Sequence, residues 1–236
     1  MFDNIEWPEI IVLSAGISLL IFIVNHYYKK SRWAIFAVAF PALIFIKLSA
    51  ELLERELSRI DSIIYDFISL FISPGMTILM KVFTFMGSAP ALIFFSLCLG
   101  LFLWVRKAPR FWGWMVVLNL TVTSLLDEVF KLIFQRPRPD ILRLVPISGY
   151  SFPSGHSMTS ISFYGLIIYL CIKYIRPPQK YFISGLLIVL VLAIGVSRIY
   201  LGVHYASDVI AGFSAGTAWL AIFIAISKRV RPSVLC

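Results

Sequence analysis

Charge is scarce in this sequence, and acidic charge scarcest. Only 14% of its 236 residues are charged, and 12 are Asp or Glu against 21 Lys or Arg. A soluble globular chain carries about a quarter charged and about half apolar residues, whereas here 60% are hydrophobic and the mean hydropathy is +0.90. That imbalance excludes disorder and argues against an ordinary cytosolic domain. Cysteine is nearly missing too: Cys98 and Cys171 sit inside apolar runs and Cys236 is the last residue, so no disulfide framework or metal-binding spacing is visible. The opening stretch MFDNIEWPE lacks the basic region of a cleaved signal peptide and carries Asp3, Glu6 and Glu9. The first apolar run is therefore expected to stay in the membrane. There is no internal repeat and no low-complexity tract.

What the sequence has is long apolar runs, at roughly 10–28, 33–50, 83–105, 111–130, 155–175, 181–200 and 207–227. A membrane-crossing helix needs about 20 such residues, and strands lose to runs of this length. The expected fold is all-α, a polytopic membrane helix bundle. Seven spans are counted, or six and a surface helix, since the run at 33–50 contains Pro41 and Lys47. Residues 1–80 are expected to hold N-terminal spans and an amphipathic surface segment, and 81–236 the main membrane domain. In that segment (51–82), Ile60, Ile63, Ile64, Phe67, Ile68 and Phe71 recur at near-helical spacing around Asp61 and Asp66, as in a helix lying on the membrane.

Twelve of the 21 basic residues fall in four clusters: Lys29, Lys30, Arg32; Arg106, Lys107, Arg110; Lys173, Arg176, Lys180; and Lys228, Arg229, Arg231. Each lies at the end of an apolar run, the pattern of cytoplasmic loops. A nucleic-acid surface would gather its cations on one face, so no nucleic-acid partner is expected. The parity puts the N-terminus outside and the C-terminus inside.

Three segments, all on the expected outer side, break this pattern: Lys131 to Pro139, Pro153 to His156, and Ser197 to Asp208. Ionisable residues at membrane depth are expensive and usually functional. Lys131, Arg138 and Arg198 are three cations without a matching cluster of carboxylates, which suits a phosphate, and arginine forks fit its oxygens. Gly155 permits close backbone approach, and Ser154-Gly155 opens a helix whose free amides can face an anion. His204 and Asp208, four apart, share a helical face, so the carboxylate could orient the imidazole as a nucleophile. His156 is left to donate a proton.

Taken singly, each piece has a plainer explanation. The Arg136–Arg138 pair with Lys131 could anchor an interface, Ser154 could be an N-cap and Gly155 a packing residue, and His204 with Asp208 an interhelical hydrogen bond. Asp127 is expected to pair with Lys131. Gln135, Arg136 and Arg143 are expected to meet head groups or water, and His26 to be interfacial. The three segments in this order on one side make coincidence a poor account.

Together they resemble the signature of the type 2 phosphatidic acid phosphatase (PAP2) superfamily: Lys-x6-Arg-Pro (Lys131, Arg138, Pro139), Pro-Ser-Gly-His (Pro153, Ser154, Gly155, His156) and Ser-Arg-x5-His-x3-Asp (Ser197, Arg198, His204, Asp208). The resemblance implies a six-helix core, to which the count of apolar runs adds an N-terminal span, and hydrolysis of lipid phosphates through a phosphohistidine without metal or other cofactor. It assigns His204 as nucleophile, Asp208 as its orienting partner and His156 as general acid. Lys131, Arg138, Ser154, Gly155 and Arg198 would hold the phosphate. Bacterial members act on phosphatidylglycerophosphate, phosphatidic acid or undecaprenyl diphosphate, so the implied partners are a lipid substrate and the plasma membrane, with the site facing outward. A phosphotransferase would share the first half-reaction. A transporter is disfavoured because the polar residues gather at one face, and the spans disfavour the vanadium haloperoxidases that carry the same motifs. The sequence leaves the oligomeric state open.

Overall fold

A computed structural model describes residues 32–53, 57–105, 110–140 and 142–230. Among them the chain forms eight helices and no strand: α1 (Arg32–Leu53), α2 (Ser58–Ser69), α3 (Pro74–Met86), α4 (Ala89–Val105), α5 (Arg110–Phe134), α6 (Gly155–Tyr174), α7 (Gln179–Tyr200) and α8 (Ala206–Val230). The run at 10–28 and His26 lie outside the described residues. Helices α1, α6, α7 and α8 are each long and apolar enough to cross a membrane, and α3 with α4 qualifies as one broken span. Helix α5 has 25 residues, but Asp127, Glu128 and Lys131 near its end shorten the apolar stretch. The protein is the multi-pass, all-α membrane bundle expected.

Two segmentation details differ from expectation. The span at 83–105 begins earlier, as α3, and bends by 54° into α4. The cause is written in Gly87-Ser88-Ala89-Pro90. Pro90 has no N–H to return to the Met86 carbonyl, and the Tyr164 hydroxyl donates to that carbonyl instead, at 2.8 Å. The bend also brings Gly87 against Ile194, where any Cβ would collide.

The second difference is in the surface segment 51–82, which is not one helix. It breaks before Ser73, whose hydroxyl accepts from Met76 N as the cap of α3, with Pro74 in the first turn. Only α2 has the expected amphipathic character. Ile64, Tyr65 and Ile68 pack on Ile199, Ala206 and Val209, while Ile60, Ile63 and Phe67 are exposed.

Helix α8 packs against α6 and α1, and α6 in turn against α7 and α5. The α6–α8 approach is close because Gly212 and Gly216 face α6. A Cβ on Gly212 would stand 2.5 Å from the Ser154 carbonyl oxygen, and one on Gly216 would stand 2.6 Å from that of Met158. Small residues four apart let backbones meet where lipid offers no hydrophobic drive. Deeper in the bundle a polar knot ties three helices. Asn119 of α5 donates to Ser162 O at 3.0 Å and accepts from Ser162 Oγ at 3.1 Å and Trp219 Nε1 at 3.0 Å.

The three motifs gather at one end of the bundle. At the other, Trp112 donates to Tyr174, and Lys173 and Lys228 lie over the rings of Trp112 and Tyr169.

Overpacking a tight contact costs about 1–3 kcal/mol. Gly212→Leu should therefore lower the unfolding temperature in detergent by several degrees, whereas Gly185→Leu, on α7 with no described residue within 4 Å of its Cβ position, should leave the melt unchanged.

Candidate active site

Each motif reaches the site from a helix end. Lys131 lies in the last turn of α5, and Arg138 in the extended segment after it. Ser154 and Gly155 open α6, Arg198 closes α7, and His204 and Asp208 flank the start of α8. The turn between α7 and α8 requires glycine: Gly202 has φ +69°, and a Cβ there would strike the Leu142 carbonyl oxygen. The amides of Val203 and His204 then both donate to Arg198 O, at 3.2 and 3.3 Å. Phe152, fully buried, stacks on Phe45 of α1 and meets Phe134 edge-on, which pins the loop before α6. The Ser154 amide donates to Asp208 O at 2.9 Å and so couples the second motif to the third.

His204 is the centre of this arrangement. Its Nδ1 lies 3.4 Å from Asp208 Oδ2, and Arg138 Nη1 lies 3.2 Å from its Nε2. A guanidinium can only donate, so Nε2 must carry the lone pair and Nδ1 the proton shared with Asp208. Burial disfavours the imidazolium and pulls the His204 pKa from 6.5 down to about 4, although Asp208 pulls the other way. The ring is thus neutral at physiological pH, with its free nitrogen toward an arginine. Arg138 is held by the carbonyls of Val203 at 2.8 Å and Gly149 at 3.0 Å. Burial lowers its pKa as well, but an arginine keeps its charge across the physiological range.

The cations fall into two groups. Lys131 is matched by Asp127 at 2.5 Å and Glu128 at 3.4 Å, so it is not the unmatched cation that the motif spacing suggested. Asp127 pairs with it as expected. Arg138 and Arg198 have no carboxylate within ion-pair distance among the described residues. Arg198 is buried, donates Nη1 to Thr84 Oγ1 of α3, and keeps Nε without a partner among the described residues. A buried donor left open is costly and suits a site that receives an anion.

The other expected residues are nearby. His156 is half-buried in the first turn of α6, with its Cδ2 close to Gly87 at the α3–α4 break. The charges around it are Arg198, His204, Lys131 and Arg138. Ser154 is buried but caps no amide; its hydroxyl accepts from Ser157 Oγ at 3.1 Å. Gly155 is needed for packing, because a Cβ there would collide with the Asp127 carboxylate.

Arg136 departs most from expectation. Its side chain is only 9% exposed and lies over the Tyr205 ring at 3.9 Å, bonded to Asp208 Oδ1 at 2.5 Å and Asp61 Oδ2 at 2.8 Å. Arg143, also expected at head groups, donates to Pro139 O at 2.7 and 2.9 Å. The only sequence signal for Asp61 was an acid inside an otherwise apolar helical face.

The family model described as "PAP2 superfamily" matches residues 112–232. The chain belongs to the PAP2 superfamily. It is a membrane lipid phosphatase of that superfamily, a phosphoric ester hydrolase. A curated relative, phosphatidylglycerophosphatase B of Bacillus subtilis (strain 168), is 33% identical over 180 residues, 74% of this chain and 86% of the relative. An undecaprenyl-diphosphatase of Sulfolobus acidocaldarius is 31% identical over 123 residues, 49% of this chain and 55% of the relative. Among solved structures, the transmembrane PAP2 type phosphatidylglycerolphosphate phosphatase from Bacillus subtilis superposes with a TM-score of 0.78 at 27% identity, covering 84% of this chain and 99% of that one.

The site of this PAP2 protein makes a pH prediction. Below pH 6.5 the unfolded His204 binds a proton that the folded ring refuses until about pH 4, so stability should fall as pH drops through that window and level off below it. In histidine-labelled protein the His204 ring should titrate near pH 4 by NMR. Asp208→Asn, which removes the influence that raises the value, should move the midpoint lower.

Proposed function

We propose that this protein hydrolyses a lipid phosphate monoester or diphosphate through a phosphohistidine on His204. The observation that carries the reading is the His204 ring itself, with Nδ1 turned to Asp208 and Nε2 against a guanidinium that has no carboxylate partner among the described residues. An entering phosphate takes Arg138 from Nε2, which frees the lone pair to attack phosphorus. The P–O bond to the lipid breaks, and His156 donates a proton to the departing oxygen. Water then cleaves the P–N bond and releases inorganic phosphate. Arg138, Arg198, Lys131, Ser154 and the Gly155 amide hold the phosphate oxygens, with Lys131 dividing its charge between phosphate and Asp127.

The substrate class is phosphatidylglycerophosphate, phosphatidic acid or undecaprenyl diphosphate. The names of the Bacillus and Sulfolobus relatives support the first and third, and the greater length shared with the Bacillus protein favours the first. The site faces the outer side of the plasma membrane, a reading supported by basic clusters at the opposite end of the bundle. Phosphate release from each lipid by purified protein, in EDTA and without an acceptor lipid, tests hydrolysis; release that required an acceptor would make the protein a phosphotransferase.

The two histidines should separate by leaving group. An alkoxide needs a proton and a phosphate leaving group needs it far less, and general acid catalysis contributes roughly 10²–10⁴-fold. His156→Ala should therefore cost a factor of that order in kcat/KM on a phosphomonoester lipid and clearly less on a lipid diphosphate. His204→Ala should abolish turnover of both. Equal losses on both substrates for His156→Ala would make it a phosphate clamp.

Orientation is checked by labelling. In a background lacking Cys98, Cys171 and Cys236, a cysteine at Asp140 or Ser148 should react with an impermeant thiol reagent in intact cells. A cysteine at Gln179 should not. The reverse pattern would put the site in the cytoplasm.

A further inference from the structure

We propose that Arg136 and Asp61 are positioning residues that act as one charge relay on Asp208, linking surface helix α2 to the ring that attacks phosphorus. The inference rests on the reading of His204 as nucleophile and Asp208 as its partner. Arg136 Nη1 donates to Asp208 Oδ1 at 2.5 Å and to Ser207 Oγ at 2.8 Å, while Nη2 donates to Asp61 Oδ2 at 2.8 Å. Asp61 is anchored independently by Ser207, whose amide donates to Oδ1 at 2.8 Å and whose hydroxyl donates to Oδ2 at 2.7 Å. Both carboxylates are buried.

The consequence for Asp208 is a fixed division of labour. With Oδ1 taken by Arg136, Oδ2 is left to Tyr205 N at 3.0 Å and His204 Nδ1 at 3.4 Å. The carboxylate cannot turn without breaking a charge-assisted bond. Arg136 alone would also drain the charge that Asp208 offers the imidazole. Asp61 offsets this by taking the other arm of the guanidinium, so the three groups together carry one net negative charge. That charge faces a ring which becomes cationic when Nε2 bonds to phosphorus while Nδ1 keeps its proton.

This arrangement predicts opposite effects that loosened packing would not produce. Among the described residues, the charged and titratable groups of the His204 site are Asp208 on α8, Tyr205 just before it, Arg198 on α7, His156 on α6, Lys131 and Asp127 on α5, Asp61 on α2, and Arg136 and Arg138 in the loop after α5. Arg136→Gln leaves Asp208 unshared and should raise the His204 titration midpoint by on the order of one pH unit. Asp61→Asn commits Arg136 wholly to Asp208 and should lower it. The double variant should return near the wild-type value.

The test uses full-length protein in detergent, with histidine NMR for the midpoint and steady-state kinetics on phosphatidylglycerophosphate. Each single variant should lose about ten-fold or more in kcat with KM within about two-fold, and the double should lose no more than the worse single. Asp61→Glu should recover part of the rate. Midpoints that move in the same direction, or kcat within about two-fold of wild type, would overturn the proposal. Should a charge variant fail to fold, Ser207→Ala takes its place. It loosens Asp61 without removing a charge, and a lower kcat with a lowered midpoint supports the relay, while unchanged values overturn it. His204→Ala runs alongside: if it still turns over substrate, the nucleophile reading fails. If it is inactive while the midpoints do not diverge, the relay alone fails.

Discussion

The site depends on how closely α8 lies against α6. Gly212 and Gly216 remove the side chains that would hold the two backbones apart, and the resulting contact lets the Ser154 amide reach the Asp208 carbonyl. That bond fixes the start of α6, with Gly155 and His156, relative to the start of α8, with His204 and Asp208. The Asn119 knot and the Phe45–Phe134–Phe152 cluster then bring α5 and α1 to the same frame. In lipid, van der Waals fit and interhelical hydrogen bonds carry this kind of precision.

On that frame the protein sorts its charges. Among the described residues, Lys131 is met by Asp127, and Arg136 by Asp61 and Asp208, while Arg138 and Arg198 are left beside His204 with carbonyl, imidazole or hydroxyl partners only. Burying a cation without a counter-ion is expensive. Paired cations contribute to the architecture, and those without a carboxylate partner among the described residues keep their charge unneutralised at the site. Desolvation acts on His204 in the same sense, holding the ring neutral so that its nitrogen retains a lone pair. Thr84, from the helix before the bend, reaches Arg198, so the break between α3 and α4 also bears on the site.

Much of this was legible in the chain. Apolar run lengths marked the helices from α5 onward to within a few residues, because a bilayer fixes the length of a crossing helix. The Pro-Ser-Gly-His and Ser-Arg-x5-His-x3-Asp segments marked helix ends, since glycine and serine at a start and His–Asp at four-residue spacing have local geometric meaning. The bend at Gly87-Ser88-Ala89-Pro90 was also written locally, but the apolar composition continues through it and hid the break. Asp61 and Arg136 were misread for a different reason. An acid on a surface helix and an arginine after a span look like solvated charges until the fold puts them together, 75 residues apart in sequence.

Hydropathy and short-range spacing are properties of the chain, and they were enough to mark a helical membrane protein carrying the three-part PAP2 motif set. Only the tertiary structure decided which cations are neutralised and which remain open, which nitrogen of His204 carries the lone pair, and that α2 touches the site through Asp61. Those outcomes depend on distances of a few ångströms between segments far apart in the chain, and Coulomb and hydrogen-bond energies change steeply over such distances.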